Sequence, residues 1–134
     1  TSEHAVQALH ALPETAMLDM GDFAGGLMKY LGRHPVPRLT VGGGIGKMTK
    51  LAQGARDLHS GRSQVDFQQL ADVMGQPNLA QANTALEAYN LAGPDMAHWV
   101  VGAALRNCQS ILKTDKIAVD CVVIDRTGFI LAQI

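Results

Sequence analysis

Aromatic residues are scarce in this chain of 134 residues: 4%, with one Trp, two Tyr and three Phe. So few rings offer no platform on which successive bases could stack, so single-stranded nucleic acid is a poor candidate partner. Charge of one sign is also lacking: 11 basic and 12 acidic residues leave a net charge of −1, which argues against a general polyanion binder. Two cysteines, Cys108 and Cys121, are too few for a disulfide framework or a cysteine metal cluster. No apolar run approaches the roughly 18 residues of a membrane span. No basic segment followed by an apolar one opens the chain, so secretion is not indicated. Repeats and low-complexity tracts are missing too. With 47% apolar residues, the expectation is one soluble cytoplasmic α/β domain over residues 1–134, with no membrane and no nucleic acid among its partners.

Hydrophobic periodicity organises that domain. Ser2 is placed to cap a helix reaching Leu12, which Pro13 ends. Residues 15–20 read as a short buried strand, and Asp22 as the cap of a helix through Leu31. Residues 38–41 form a second strand, followed by Gly42-Gly43-Gly44 and a helix from Ile45 to Gly54. Ser63 is expected to cap a helix with Val65, Leu70 and Val73 on one side, and helices follow over 78–91 and 94–112. The tail alternates, with Ile117, Val119, Cys121 and Val123 on one side and Asp120 and Val122 on the other. A turn at 125–128 then returns residues 129–134 as the partner strand. The fold class is a small layered α/β fold: a βαβ unit on a short, mostly parallel sheet, with a C-terminal antiparallel hairpin.

Ligands of open parallel sheets bind beyond the carboxyl ends of the strands. The two candidate loops there are Gly21-Asp22 and Gly42-Gly43-Gly44. Three successive glycines suit positive φ or close approach of a ligand to the backbone. Before a helix they also leave N–H groups facing a carboxylate or phosphate. The alternative is a tight turn with close helix packing. A nucleotide-hydrolysing phosphate loop is rejected, because Val41 stands where glycine is needed and Met48 where a hydroxyl is needed.

From Lys29 to Arg62 lie seven basic residues and one acidic, a net +6, while the rest of the chain carries −7. Lys47 and Lys50, three residues apart, share a helix face near the glycines. This patch suits a ligand with several carboxylates. His59 is positioned to hydrogen-bond a ligand or to titrate near neutrality, and Ser60 lies beside it. The remaining histidines lack metal-ligand spacing, so no metal site is expected.

Residues 42–54, GGGIGKMTKLAQG, with Leu58-His59-Ser60 and Asp66, resemble the C-terminal signature of the CbiD family of cobalt-precorrin-5B methyltransferases. Residues 18–25 resemble the family's strand and G-D-F-x-G turn, and residues 122–128 its closing hairpin. The family's N-terminal half has no counterpart, and Leu58 stands where many members have Thr. The resemblance implies transfer of a methyl group from S-adenosylmethionine to C-1 of a tetrapyrrole, a cobalt-precorrin rich in carboxylates, in corrin ring biosynthesis. It implies roles for Gly42, Gly43, Gly44 and Gly46 at a ligand carboxylate and for Lys47 and Lys50 in pairing with further carboxylates. Asp22, beside Gly21, or less readily Asp19, would accept from a ribose hydroxyl of the donor, unless the donor site lies in the absent N-terminal half, and His59 would act as acid or base, with Ser60 adjacent. The missing N-terminal domain is then a partner, and a homo-oligomer is left open. The rival reading is a non-catalytic module that binds an anionic ligand or forms a dimer; a phosphate- or nucleotide-binding domain is a weaker third.

Overall fold

The computed structural model describes residues 2–134. Helix α1 (Ser2–His10) is followed by a single 3-10 turn (Glu14–Ala16), helix α2 (Ala24–Arg33) and strand β1 (Arg38–Gly44). Four helices come next: α3 (Ile45–Ala52), α4 (Phe67–Met74), α5 (Ala85–Ala92) and α6 (Pro94–Leu112), with a 3-10 turn at Pro77–Gln81. Strands β2 (Ala118–Ile124) and β3 (Ile130–Gln133) close the chain. The sheet is ordered β1-β2-β3, with β1 parallel to β2 and β2 antiparallel to β3. This is the small layered α/β fold with its C-terminal hairpin. One parallel and one antiparallel pairing make the sheet mixed.

Alternation along β2 divides the core into two layers. Cys121 and Val123 join Val41, Met48, Met96, Val100 and Ile111 in the main cluster, under α3 and α6. Val122 and Ile124 face the other way and pack with Val6 of α1. Helix α6 starts with Pro94 at its first turn, ends where Lys113 turns left-handed (φ 54°), and buries nine side chains between.

Several expectations are corrected. Residues 15–20 do not form a strand: Leu18 is exposed and the segment pairs with nothing in the sheet. A strand is held by its ladder, and β2 is the only strand hydrogen-bonded to β1 among the described residues. The parallel pair is therefore β1 and β2, joined through α3 to α6. Asp66, not Ser63, caps α4, its Oδ1 accepting from the Gln69 N–H at 3.0 Å, and Val73 points to solvent. The helix expected over 78–91 is broken at Thr84, whose Oγ1 accepts from the Glu87 N–H at 3.0 Å while the Glu87 carboxylate accepts from Asn83 N–H. That reciprocal arrangement starts α5 afresh. Phe23 holds the cap position of α2, and no side-chain bond from Asp22 is made there.

Gly42, Gly43 and Gly44 are not a loop but the last three residues of β1, and none has positive φ. A Cβ on Gly42 would meet Val6 Cγ2 at 2.5 Å, and one on Gly43 would meet Met48 Cγ at 3.3 Å. Close packing by layers on both faces of the sheet explains these two. Around Gly44 nothing lies within 4 Å of an added Cβ, so packing does not explain the third.

Candidate functional site

A cavity of about 620 Å³ opens along β1, bounded by α1, by residues 16–21 and by the start of α3. Its size is that of a small-molecule site. Gly42, Gly43 and Gly44 line it at the end of β1, Gly21 lines it too, and Lys47 stands in the wall. Gly21 adopts φ 56°, and its N–H donates to Asp19 Oδ1 at 2.9 Å, which shapes the turn before Asp22. Gly44 precedes α3 without a side-chain cap, so the first N–H groups of that helix have no side-chain acceptor at the cap position.

Gly21, in the turn before Asp22, and the end of β1 line the same cavity, although no strand precedes that turn. Lys47 Nζ lies 3.0 Å from Asp22 Oδ1. Backbone bonds lock the neighbouring segment onto the same place: Leu58 N–H donates to the Asp22 carbonyl and Gly25 N–H to the Arg56 carbonyl, both at 2.8 Å. Lys50 turns away from the glycines and donates to the Leu58 carbonyl at 3.1 Å. Gln53 closes the base of the loop, exchanging two 2.8 Å hydrogen bonds with the Asp66 backbone.

That closed loop presents His59, Ser60 and Arg62. His59 N–H donates to Asp57 Oδ1, and His59 Nδ1 accepts from the Gly61 N–H, each at 3.0 Å. Arg62 Nε pairs with the Asp57 carboxylate and its guanidinium lies over the Phe23 ring. The Arg62 hydrogen bond, with help from the His59 N–H, holds the Asp57 carboxyl below the usual aspartate range. Ser60 is exposed. Gly21, Gly42, Gly43, Gly44 and Lys47 thus share one cavity with Asp22 beside it. Gly46, Lys50, His59 and Ser60 lie outside its lining.

The surplus of +6 is smaller in space than along the chain. Lys47 is paired with Asp22, Arg62 with Asp57 and Arg38 with Asp120. Lys29, Arg33 and Arg56 keep their charge unpaired among the described residues, and all three are exposed.

One cluster escaped sequence reasoning. Asp120 accepts from Thr40 Oγ1 at 2.6 Å and from Arg38 Nη2 at 3.3 Å, and His10 Nε2 stands 3.3 Å from the same carboxylate, out of line for a hydrogen bond. Thr40 and Asp120 are register partners on the parallel strands, and His10, Arg38 and Thr40 line the cavity. The available signal was Asp120 on the polar side of an alternating strand. Cys108 and Cys121 are both buried free thiols. Their mutual contact and burial push the Cys121 thiol far up, which leaves it inert. Among the described residues no group of three His, Cys, Asp or Glu is arranged to hold a metal ion, and no helix is long and apolar enough to cross a membrane.

Fold and site together define a small α/β domain with a glycine-edged cavity and a lysine in its wall. Residues 57–134, more than half of the chain, match the family model described as CbiD, C-terminal domain, and the chain belongs to that family. It is 49% identical over 145 residues to a Brucella anthropi protein named cobalt-precorrin-5B C(1)-methyltransferase. It is 48% identical to proteins of the same name from Brucella ovis and Brucella melitensis. All of this chain is covered in each case, but the match spans 39% of each relative's length. No solved structure matches it significantly.

Proposed function

We propose that this chain is the C-terminal part of a methyltransferase that moves a methyl group from S-adenosylmethionine to C-1 of cobalt-precorrin-5B in cobalamin biosynthesis. The observation that carries the reading is the cavity edged by Gly42, Gly43 and Gly44, with Lys47 in its wall, in a chain 49% identical to a protein so named. A corrin precursor bears many carboxylates. Lys47 offers a charged donor to one of them, and the bare backbone at Gly44 lets another approach the first turn of α3.

The residues present also fit part of a methyl donor. Asp22 stands beside the cavity on a turn whose left-handed Gly21 has open space around it, and its carboxylate suits ribose hydroxyls. S-adenosylmethionine supplies an electrophilic methyl group on a sulfonium when bound. Such a displacement asks the protein for position and electrostatics more than for a nucleophile. In this reading Lys47 orients the acceptor, Asp22 the donor, and His59 exchanges a proton at the ring.

A second reading is favoured by the 39% coverage: the chain binds the carboxylated ring, and the missing N-terminal domain holds the donor. Calorimetric titration separates the two. Binding of S-adenosylhomocysteine by this chain supports a donor site beside Asp22. Binding of only a carboxylate-rich cobalt corrinoid makes this the substrate-binding portion. Binding of neither refutes both.

A further inference from the structure

Phe23 is one of only six aromatic residues in the chain, yet it is 65% exposed. Phe129 and Tyr30 are exposed as well, but Phe23 directly follows Asp22, whose carboxylate meets Lys47 in the cavity wall. Its surroundings are built. Asp22, the preceding residue, is tied to Lys47, and the Leu58 and Gly25 backbone bonds hold the Arg56–Leu58 segment against residues 22–25. Arg62, itself anchored by Asp57, places its guanidinium 5.7 Å from the ring centroid, within cation–π range. Arg62 thereby lies over one face of Phe23, while most of the residue stays in solvent.

We infer that the open face of Phe23 is the stacking surface for a flat conjugated ring of the ligand, with Arg62 behind it and Asp22 and Lys47 at its side. This rests on the reading of these loops as a ligand site. Two ligands carry such a ring: the adenine of the methyl donor and the conjugated corrin precursor. Stacking needs a planar π face, so an aliphatic side chain of similar bulk does not replace it.

The test measures calorimetric affinities of this chain for S-adenosylhomocysteine and, separately, for cobyrinic acid. Three variants are compared with the parent: Phe23→Tyr, Phe23→Leu and Phe23→Ala. Because the side chain is largely exposed, all three are expected to melt with the parent. The Tyr variant should keep its affinity, while the Leu and Ala variants lose about tenfold or more for one probe. The probe affected identifies which ring stacks. Equal affinity across the series, with the parent still binding, overturns the inference and leaves the proposed function standing. A Leu variant that binds as well as Tyr also overturns it, since mere apolar contact then suffices. If the parent binds neither probe, the inference falls together with the reading beneath it.

Discussion

Lys47 reaches across from the first turn of α3 to place its ammonium 3.0 Å from the Asp22 carboxylate, joining the start of α3 to the Gly21-Asp22 turn beside the cavity. Both side chains keep substantial contact with water, so the pair adds little to stability. Lys47→Ala is expected to change the unfolding free energy by no more than about 0.5 kcal/mol. Affinity for a polycarboxylate corrinoid should fall about tenfold, the worth of one charge-assisted hydrogen bond. Raising the salt concentration should narrow the difference between parent and variant. A variant that unfolds would show the lysine to be structural instead.

The adjacent glycines predict opposite signs. Gly42→Ala drives a methyl group into Val6, a stiff β-branched side chain buried in the second core layer. A loss of about 1–3 kcal/mol is expected, largely recovered when Val6→Ala is added, which denaturant unfolding of the double-mutant cycle would show. Gly44→Ala meets nothing within 4 Å, at φ −70° and ψ 165°. It should stabilise the fold by about 0.4–1 kcal/mol through the unfolded chain, while weakening an anionic ligand whose approach to α3 the methyl group obstructs. Unchanged affinity would remove Gly44 from the site.

Those glycines also mark how far local pattern carries. α6 was legible because Pro94 and a sustained apolar period both belong to one helix, and β2 because Ile117 to Val123 alternate cleanly. The glycine run has the composition of a loop, yet it is strand, because the space its side chains would fill belongs to Val6 and Met48 from elsewhere in the chain. Residues 15–20 have the composition of a strand, but β1 offers them no ladder. Around the cavity, Gly21, Gly44 and Lys47 are residues that their types and order also single out, with Asp22 paired to Lys47. What could not be read was tertiary: Lys50 turning to the Leu58 carbonyl, Phe23 left exposed under Arg62, and Asp120 gathering Thr40, Arg38 and His10.

Acid should loosen the loop that carries His59. Asp57 has a pKa lowered from its ordinary 3.8, first by Arg62 and then by the His59 N–H. A depressed carboxylate contributes stability that is fully present above its unfolded value and is lost as pH falls through its folded value. The Asp57 side-chain carboxyl and Arg62 Nε–H resonances should therefore move together below about pH 4. Asp57→Asn should abolish that shared transition and leave the loop in its low-pH state throughout.

Asn107 of α6 donates from Nδ2 to the carbonyls of Leu51 and Ala55, at 2.8 and 3.1 Å. It thus satisfies the end of α3 and the start of the loop at once. Asn107→Ala leaves these part-buried carbonyls without that donor, at an expected cost of about 1–3 kcal/mol. Gln53→Ala cuts the other tie, the paired bonds to the Asp66 backbone at the far end of the same loop. Hydrogen exchange should then distinguish the two anchors. Asn107→Ala should speed exchange at Gly54 and Ala55, whose N–H groups donate to the Leu51 and Lys50 carbonyls at the end of α3. Gln53→Ala should instead release the Asp66 amide while the Gly54 and Ala55 amides stay protected. If either variant frees every amide from Gly54 to Asp66 together, the loop opens as one unit, and His59 is positioned by both anchors jointly.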